Sequence, residues 1–399
     1  MSTVFPRILL LSWQRPDGRY AGAEVLRKIL GCWPHELARW AYLDTEARTV
    51  PAHLPPSRAF PPRPVHWRLR NTVWRYWYMQ HWQSRRLALA VAEWARAFQP
   101  QVLWVLAELG TVTVGERLAR LLQTPVHVTL HDALEFGRFA LPRSYYPLYI
   151  RAAHRLLRRA ATFDAISPAL REHAAAAYAV GEKPAMIFPP SIARVATDGA
   201  PSARPWGDAM VRKIALCGSM RISSTEWRRF LGLMGRLPYT IELLAYVDRA
   251  TFFQETMPPN VGVRFEPYLS SETELVAAFR AAAVDAAYLG LTRLPEQSCF
   301  ARYSLSSKLT AYTAAALPVI VDAPEDSWVW RLVSAYQAGI LCGEEEDVAV
   351  QRLKELLSDK QYHLRLAQGA QRLCREELDL ERNVEQFRQL LWQAVGKHT

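Results

Sequence analysis

A chain of 399 residues, 50% hydrophobic and 22% charged, has the material for packed cores in two or three domains, which excludes a wholly disordered protein. Its longest apolar runs, such as Ala314 to Val321, stop far short of the roughly 20 residues that span a bilayer, so a helical membrane channel is excluded as well. The formal net charge of +11 favours anionic partners, whether nucleic acid, acidic lipid head groups or phosphorylated small molecules, and charge alone does not choose among them.

Pro6 to Ser12 reads as a buried parallel strand. Its apolar burst, Ile8 to Leu11, meets Gln14, Arg15 and Asp17 almost at once, which is not the pattern of a secretory signal. A polar loop, Trp13 to Tyr20, leads to a helix that Ala21-Gly22-Ala23-Glu24 opens. Strands are then predicted at 102–106, 126–130 and 162–166, with helices at 116–122 and 149–161 between them. This alternation is that of a doubly wound α/β domain. Residues 194–208 are rich in small residues and proline and read as a linker. The alternation then restarts: strands at 213–218, 241–246, 261–265, 283–289 and 318–321, and helices at 225–237, 273–282 and 307–316. Residues 348–395 read as helices broken near Leu378 and Asp379. The expected fold class is α/β, two Rossmann-like doubly wound domains facing a central cleft, with ligands at the carboxyl ends of the strands.

Several familiar chemistries lack their motifs. There is no GxGxxG, GxxxxGK[ST], GxSxG or Asp-x-Asp, so dinucleotide binding, a P-loop and a serine elbow are unsupported, and a metal–diphosphate mechanism is weakened. The five cysteines, Cys32, Cys217, Cys299, Cys342 and Cys374, form no CxxC pair, which argues for a reducing compartment and against a disulfide framework or a zinc site.

Two segments carry positive evidence. In Ser304-Leu-Ser-Ser-Lys-Leu-Thr a loop with Ser306, Ser307 and Lys308 enters a helix, where amides and an ammonium suit a phosphate; an ordinary capping serine is the other reading. Residues 58–86 hold seven arginines and no acid, interleaved with Trp67, Trp74, Tyr76, Trp77, Tyr78 and Trp82. Arg68, Arg70, Trp74, Arg75 and Trp77 form a candidate patch for an anionic membrane or a lipid-linked acceptor. Single-stranded nucleic acid, and a helix packed by its aromatics and solvated by its arginines, are the alternatives.

The segment Ser304 to Val321 resembles the "P-x-K-x-x-E-Y-x-A-x-G-x-P-V" stretch of GT-B glycosyltransferases, family 4 in particular. Other segments fall in that family's order: Arg7 to Ser12 with Gly22-Ala23-Glu24, Val128-Thr-Leu-His131-Asp132, Phe163 to Leu170, Leu216-Cys-Gly218-Ser219, and Pro258 to Tyr288. The resemblance spans nearly the whole chain, and the collinear order carries it. It implies residues 1–195 as the acceptor-binding domain, 196–210 as a linker, 211–375 as the nucleotide-sugar-binding domain, and 376–399 as a C-terminal helix packing back on the first domain. It implies a retaining transfer from a nucleotide-sugar donor to a saccharide or lipid-linked acceptor, with no metal and no cofactor. The expected place is the cytoplasm, peripheral to the inner face of the cell membrane.

The site residues follow from the same resemblance. His131 and Asp132 are the candidate catalytic pair, with Asp132 either orienting His131 or capping the next helix. Gly22, Gly218, Ser219, Arg221, Ser306, Ser307 and Lys308 are the candidate donor contacts. The chain departs from the family pattern where Ala311 and Tyr303 align with its two glutamates, Ser219 with its arginine and Ser224 with its lysine. The departures keep a catalytically inactive scaffold, and more distantly a nucleic-acid binder, as rival readings.

Overall fold

The computed structural model describes residues 4–18, 21–47, 49–63, 73–108, 110–141, 143, 145–178, 180–194, 211–218, 222–247, 255–269, 271–294 and 298–396. The expected linker at 196–210 lies outside them, as do Arg68, Arg70, Ser219 and Arg221. The chain divides into two compact units, Met1–Phe188 with Glu381–Thr399, and Pro189–Leu380.

Unit 1 is built on a seven-stranded parallel sheet in the order β3-β2-β1-β4-β5-β6-β7. Its strands are β1 (Ile8–Ser12), β2 (Ala38–Tyr42), β3 (Ser57–Ala59), β4 (Val102–Leu106), β5 (Val126–Leu130), β6 (Thr162–Ala165) and β7 (Ala185–Ile187). The central strands β1, β4 and β5 are buried at every residue, which is why they read as unbroken apolar runs: helices cover both faces of such a sheet. The strand order reverses between β1 and β4, the switch point at which doubly wound sheets open a ligand crevice.

The last helix, Leu380–Gly396, contributes Phe387 to the core of unit 1. That ring lies 4.8 Å from Trp104, 5.0 Å from His127, 5.4 Å from Phe188 and 6.2 Å from Trp33, centroid to centroid. Arg388 and Trp392 on the same helix donate to the Val4 carbonyl at 3.1 and 2.8 Å.

Unit 2 has a six-stranded parallel sheet, order β10-β9-β8-β11-β12-β13. Its strands are β8 (Val211–Cys217), β9 (Thr240–Tyr246), β10 (Val261–Phe265), β11 (Ala286–Gly290), β12 (Val319–Asp322) and β13 (Gly339–Leu341). The order reverses between β8 and β11. Trp227, Phe230 and Tyr288 stack in its core, with centroids 5.4 and 3.9 Å apart. Ser223 and Glu226 form a reciprocal capping box at the start of the helix Ser224–Gly235. The C-terminal helical region breaks twice. Besides the break at Leu378–Asp379, Asp359 accepts from the Gln361 and Tyr362 amides and so starts a new helix, Lys360–Glu377. Among the described residues, no helix is long and apolar enough to cross a membrane.

Candidate functional site

In unit 1 the chemistry gathers at the carboxyl ends of β1, β4 and β5. Beyond β1, the Ser12 hydroxyl accepts from the Trp40 indole at 2.8 Å and donates to the Gln14 carbonyl at 2.8 Å, which sets the turn. Beyond β4, Glu108 accepts from the Trp13 amide at 2.9 Å and from Gln14 Nε2 at 2.8 Å. Beyond β5 come His131 and Asp132. Gly22, in the first turn of the helix Ala21–Gly31, closes the group: a Cβ there would stand 3.1 Å from Gln14 Nε2 and 3.6 Å from His131 Nδ1. Hydrogen in place of a side chain is what lets the loop and the histidine approach. Glu24, in the same turn, pairs with Arg27.

The electrostatics of this group are set by burial. Desolvation holds the His131 imidazole below its usual range, opposed by the negative charges of Asp164 and Asp132. Glu108 is pushed above the ordinary carboxylate range, first by burial and then by Asp132, while its two hydrogen bonds work the other way. Asp132 is exposed, and the short 3-10 turn that follows, Leu134–Phe136, has Ala133 as its N-cap with no side-chain bond. The Asp132 charge acts on His131. Beneath His131 lies a buried polar ladder. His127 Nε2 is 2.6 Å from Asp164 Oδ1, His127 Nδ1 is 2.9 Å from the Thr162 hydroxyl, Thr129 donates to Asp164, and the Trp104 indole donates to Thr129 at 2.7 Å. The loop after Asp132 is clamped by Tyr178, whose hydroxyl accepts from the Leu134 amide at 2.9 Å and donates to Glu135.

In unit 2, β8 is followed by Gly218, whose φ of +63° is a left-handed conformation that glycine adopts without strain. A Cβ at Gly218 would stand 3.5 Å from Lys308 Cε, so the lysine stem lies against the turn at the switch point of this sheet. The helix it opens is short, Lys308–Ala314, and Ser307 makes no side-chain cap. The Leu309 amide donates to the Ser306 carbonyl at 3.0 Å, Thr310 to the Ser307 carbonyl at 3.3 Å, and the Lys308 amide to the Ser306 hydroxyl at 3.4 Å. These amides are satisfied within the turn. The Lys308 stem against Gly218 is then the cationic feature of this turn. Ala311, where the family pattern has a glutamate, is 1% exposed.

The structure thus places Gly22 beside His131, and Gly218 beside Lys308. Sequence reasoning missed Glu108 and Gln14, although Glu108 follows a predicted strand at the switch point, where ligands collect. It also missed Asp322, which Arg229 and Arg293 reach at 2.6 and 2.9 Å. The Arg293 amide is held by Glu226. Asp322 is 3% exposed, and a buried carboxylate compensated by two guanidinium groups fixes the ends of β11 and β12.

The aromatic–basic segment is helical over Val73–Tyr78, widens to a π turn over Met79–Gln83 and continues as Ser84–Arg96. Gln80, buried, donates to the Leu148 carbonyl at 3.1 Å, and Gln83 to the Arg63 carbonyl at 3.0 Å. The indoles face outward: Trp74, Trp77 and Trp82 are 67%, 45% and 65% exposed. The reading in which the aromatics pack and the arginines are solvated is thereby corrected for these three residues. Arg75 lies on the same helix.

Solved structures that share this fold of two parallel-sheet α/β units include GT-B glycosyltransferases. The chain is similar to Anabaena HepE, crystallised with UDP and glucose, at 15% identity and TM-score 0.64 over 97% of this chain and 99% of that one. It is similar to a sucrose-phosphate synthase from Thermosynechococcus elongatus at 12% identity and TM-score 0.69, covering 98% of this chain and 100% of the other. A trehalose 6-phosphate synthase from Burkholderia multivorans matches at 12% identity and TM-score 0.62, covering 99% and 98%. At such identities the likeness is one of fold. No protein-family model and no curated protein sequence matches the chain.

Proposed function

We propose that the protein is a glycosyltransferase, similar to family 4, that moves a sugar with retention from a nucleotide-sugar donor to a saccharide or lipid-linked acceptor, without a metal or other cofactor. The observation that carries this reading is the Lys308 stem lying against the Gly218 turn at the switch point of the second sheet. A departing diphosphate gains charge in the transition state, and a preorganised ammonium beside a close-approach backbone turn stabilises it. In this reading unit 2 holds the donor and unit 1 the acceptor. His131, kept neutral near pH 7 by burial, offers the transferred sugar a hydrogen bond without a fixed charge. HepE, which shares the fold, was crystallised with UDP-glucose.

The test is transfer from a panel of UDP-, GDP- and ADP-sugars to simple glycosides in EDTA, with the product's anomeric configuration read by NMR. A retained configuration and undiminished turnover in EDTA are expected. Inversion, or a strict need for added divalent cation, contradicts the mechanism. Saturable donor binding with no turnover favours the inactive scaffold.

The exposed indoles, in a stretch of sequence with seven arginines and no acid and a chain of net charge +11, support peripheral contact with an anionic membrane on the cytoplasmic side. Anionic vesicles are expected to blue-shift tryptophan emission, and the Trp74→Ala/Trp82→Ala double variant to lose most of that shift. An equal response to oligonucleotides and none to vesicles would favour nucleic acid instead.

A further inference from the structure

We propose that Gln14 and Glu108 form the acceptor-reading pair of unit 1, and that they select an uncharged, hydroxyl-bearing sugar over one that presents a phosphate at this point. The inference rests on the transferase reading above and names the substrate class of its acceptor site. Both residues stand at the ends of β1 and β4, where the strand order reverses. The Glu108 carboxylate takes the Trp13 amide on Oε2 and the Gln14 amide nitrogen on Oε1, at 2.9 and 2.8 Å, which fixes its plane and leaves each oxygen able to accept again. Gln14 Oε1 is buried and has no hydrogen-bond partner among the described residues.

An unmet buried acceptor costs free energy until a donor arrives. That amide shares one spot with Gly22 and His131, as the distances to a Cβ on Gly22 show. A ligand seated there meets carboxylate and amide oxygens that ask for O–H donors. Sugar hydroxyls supply them, and a phosphate dianion supplies none. The Asp132 charge, which acts on both Glu108 and His131, adds repulsion against an anion. The pair thereby separates this chain from an enzyme whose acceptor must carry its phosphate into this corner.

The variants are Glu108→Gln and Gln14→Ala. In Glu108→Gln only one of the two donors can be met, and rotation of Gln14 to relieve the conflict spends its open oxygen. Acceptor KM is measured for methyl hexosides and for hexose 6-phosphates, beside donor affinity by titration and thermal unfolding as a fold control. The wild type is expected to prefer the neutral sugars. Glu108→Gln is expected to raise their KM about tenfold to a hundredfold, the range for one hydrogen bond to a charged group, with donor affinity unchanged and the discrimination against phosphate reduced. Gln14→Ala is expected to act in the same direction. A wild type that prefers hexose phosphates, or variants that keep both KM and preference, overturns the proposal. If no donor binds at all, the transferase reading fails by itself. Equilibrium binding of the same two sugar classes, by NMR, then decides the pair on the same criterion.

Discussion

Lys308→Met is expected to lower kcat by about 10²–10³, the range for deleting one preorganised group that stabilises developing negative charge. Methionine keeps an unbranched stem against Gly218, so the turn and the melting temperature are expected to survive while the charge is lost. The Leu309 and Thr310 amides are already bonded within the turn, so these two do not compensate for the lost charge. A change in kcat of threefold or less, measured with saturating donor, would show that the diphosphate is stabilised elsewhere.

Phe387→Ala is expected to destabilise unit 1 by about 3–5 kcal/mol, the usual cost of truncating a buried phenylalanine. The ring is fully buried and touches Trp33, Trp104, His127 and Phe188, which come from four separate segments of the unit. The cavity would open beside His127, one end of the ladder that runs through Asp164 and Thr129 below His131. Urea unfolding followed by tryptophan emission reports it. A midpoint equal to wild type would mean that the last helix is not part of this core.

The central strands were legible because burial on both faces leaves an unbroken apolar run: Ile8 to Leu11 and Val102 to Leu106 need no other signal. The edge strands β3, β7 and β13 have three residues each, too few for a period to show. Gly22 and His131 are singled out through motif resemblance, and their adjacency needs coordinates, since one lies in the first turn of a helix and the other just past β5, more than a hundred residues on. Glu108 carries no motif; only its place after β4 marks it. The indole stripe was visible at Trp74, Trp77 and Trp82, but periodicity gives a face without saying which way it points, and buried Gln80 and Gln83 decide that. The linker at 196–210 and the donor candidates Ser219 and Arg221 lie outside the described residues.

Isothermal titration of the full chain with UDP, GDP and ADP, in EDTA and repeated on Lys308→Met, bears most directly on the claim that unit 2 grips a diphosphate through Lys308 and the Gly218 turn. Saturable one-to-one binding of at least one nucleotide is predicted, weakened at least tenfold in the variant, the size of losing one charge-assisted contact. No binding of any of the three, or equal affinity in wild type and variant, would contradict it.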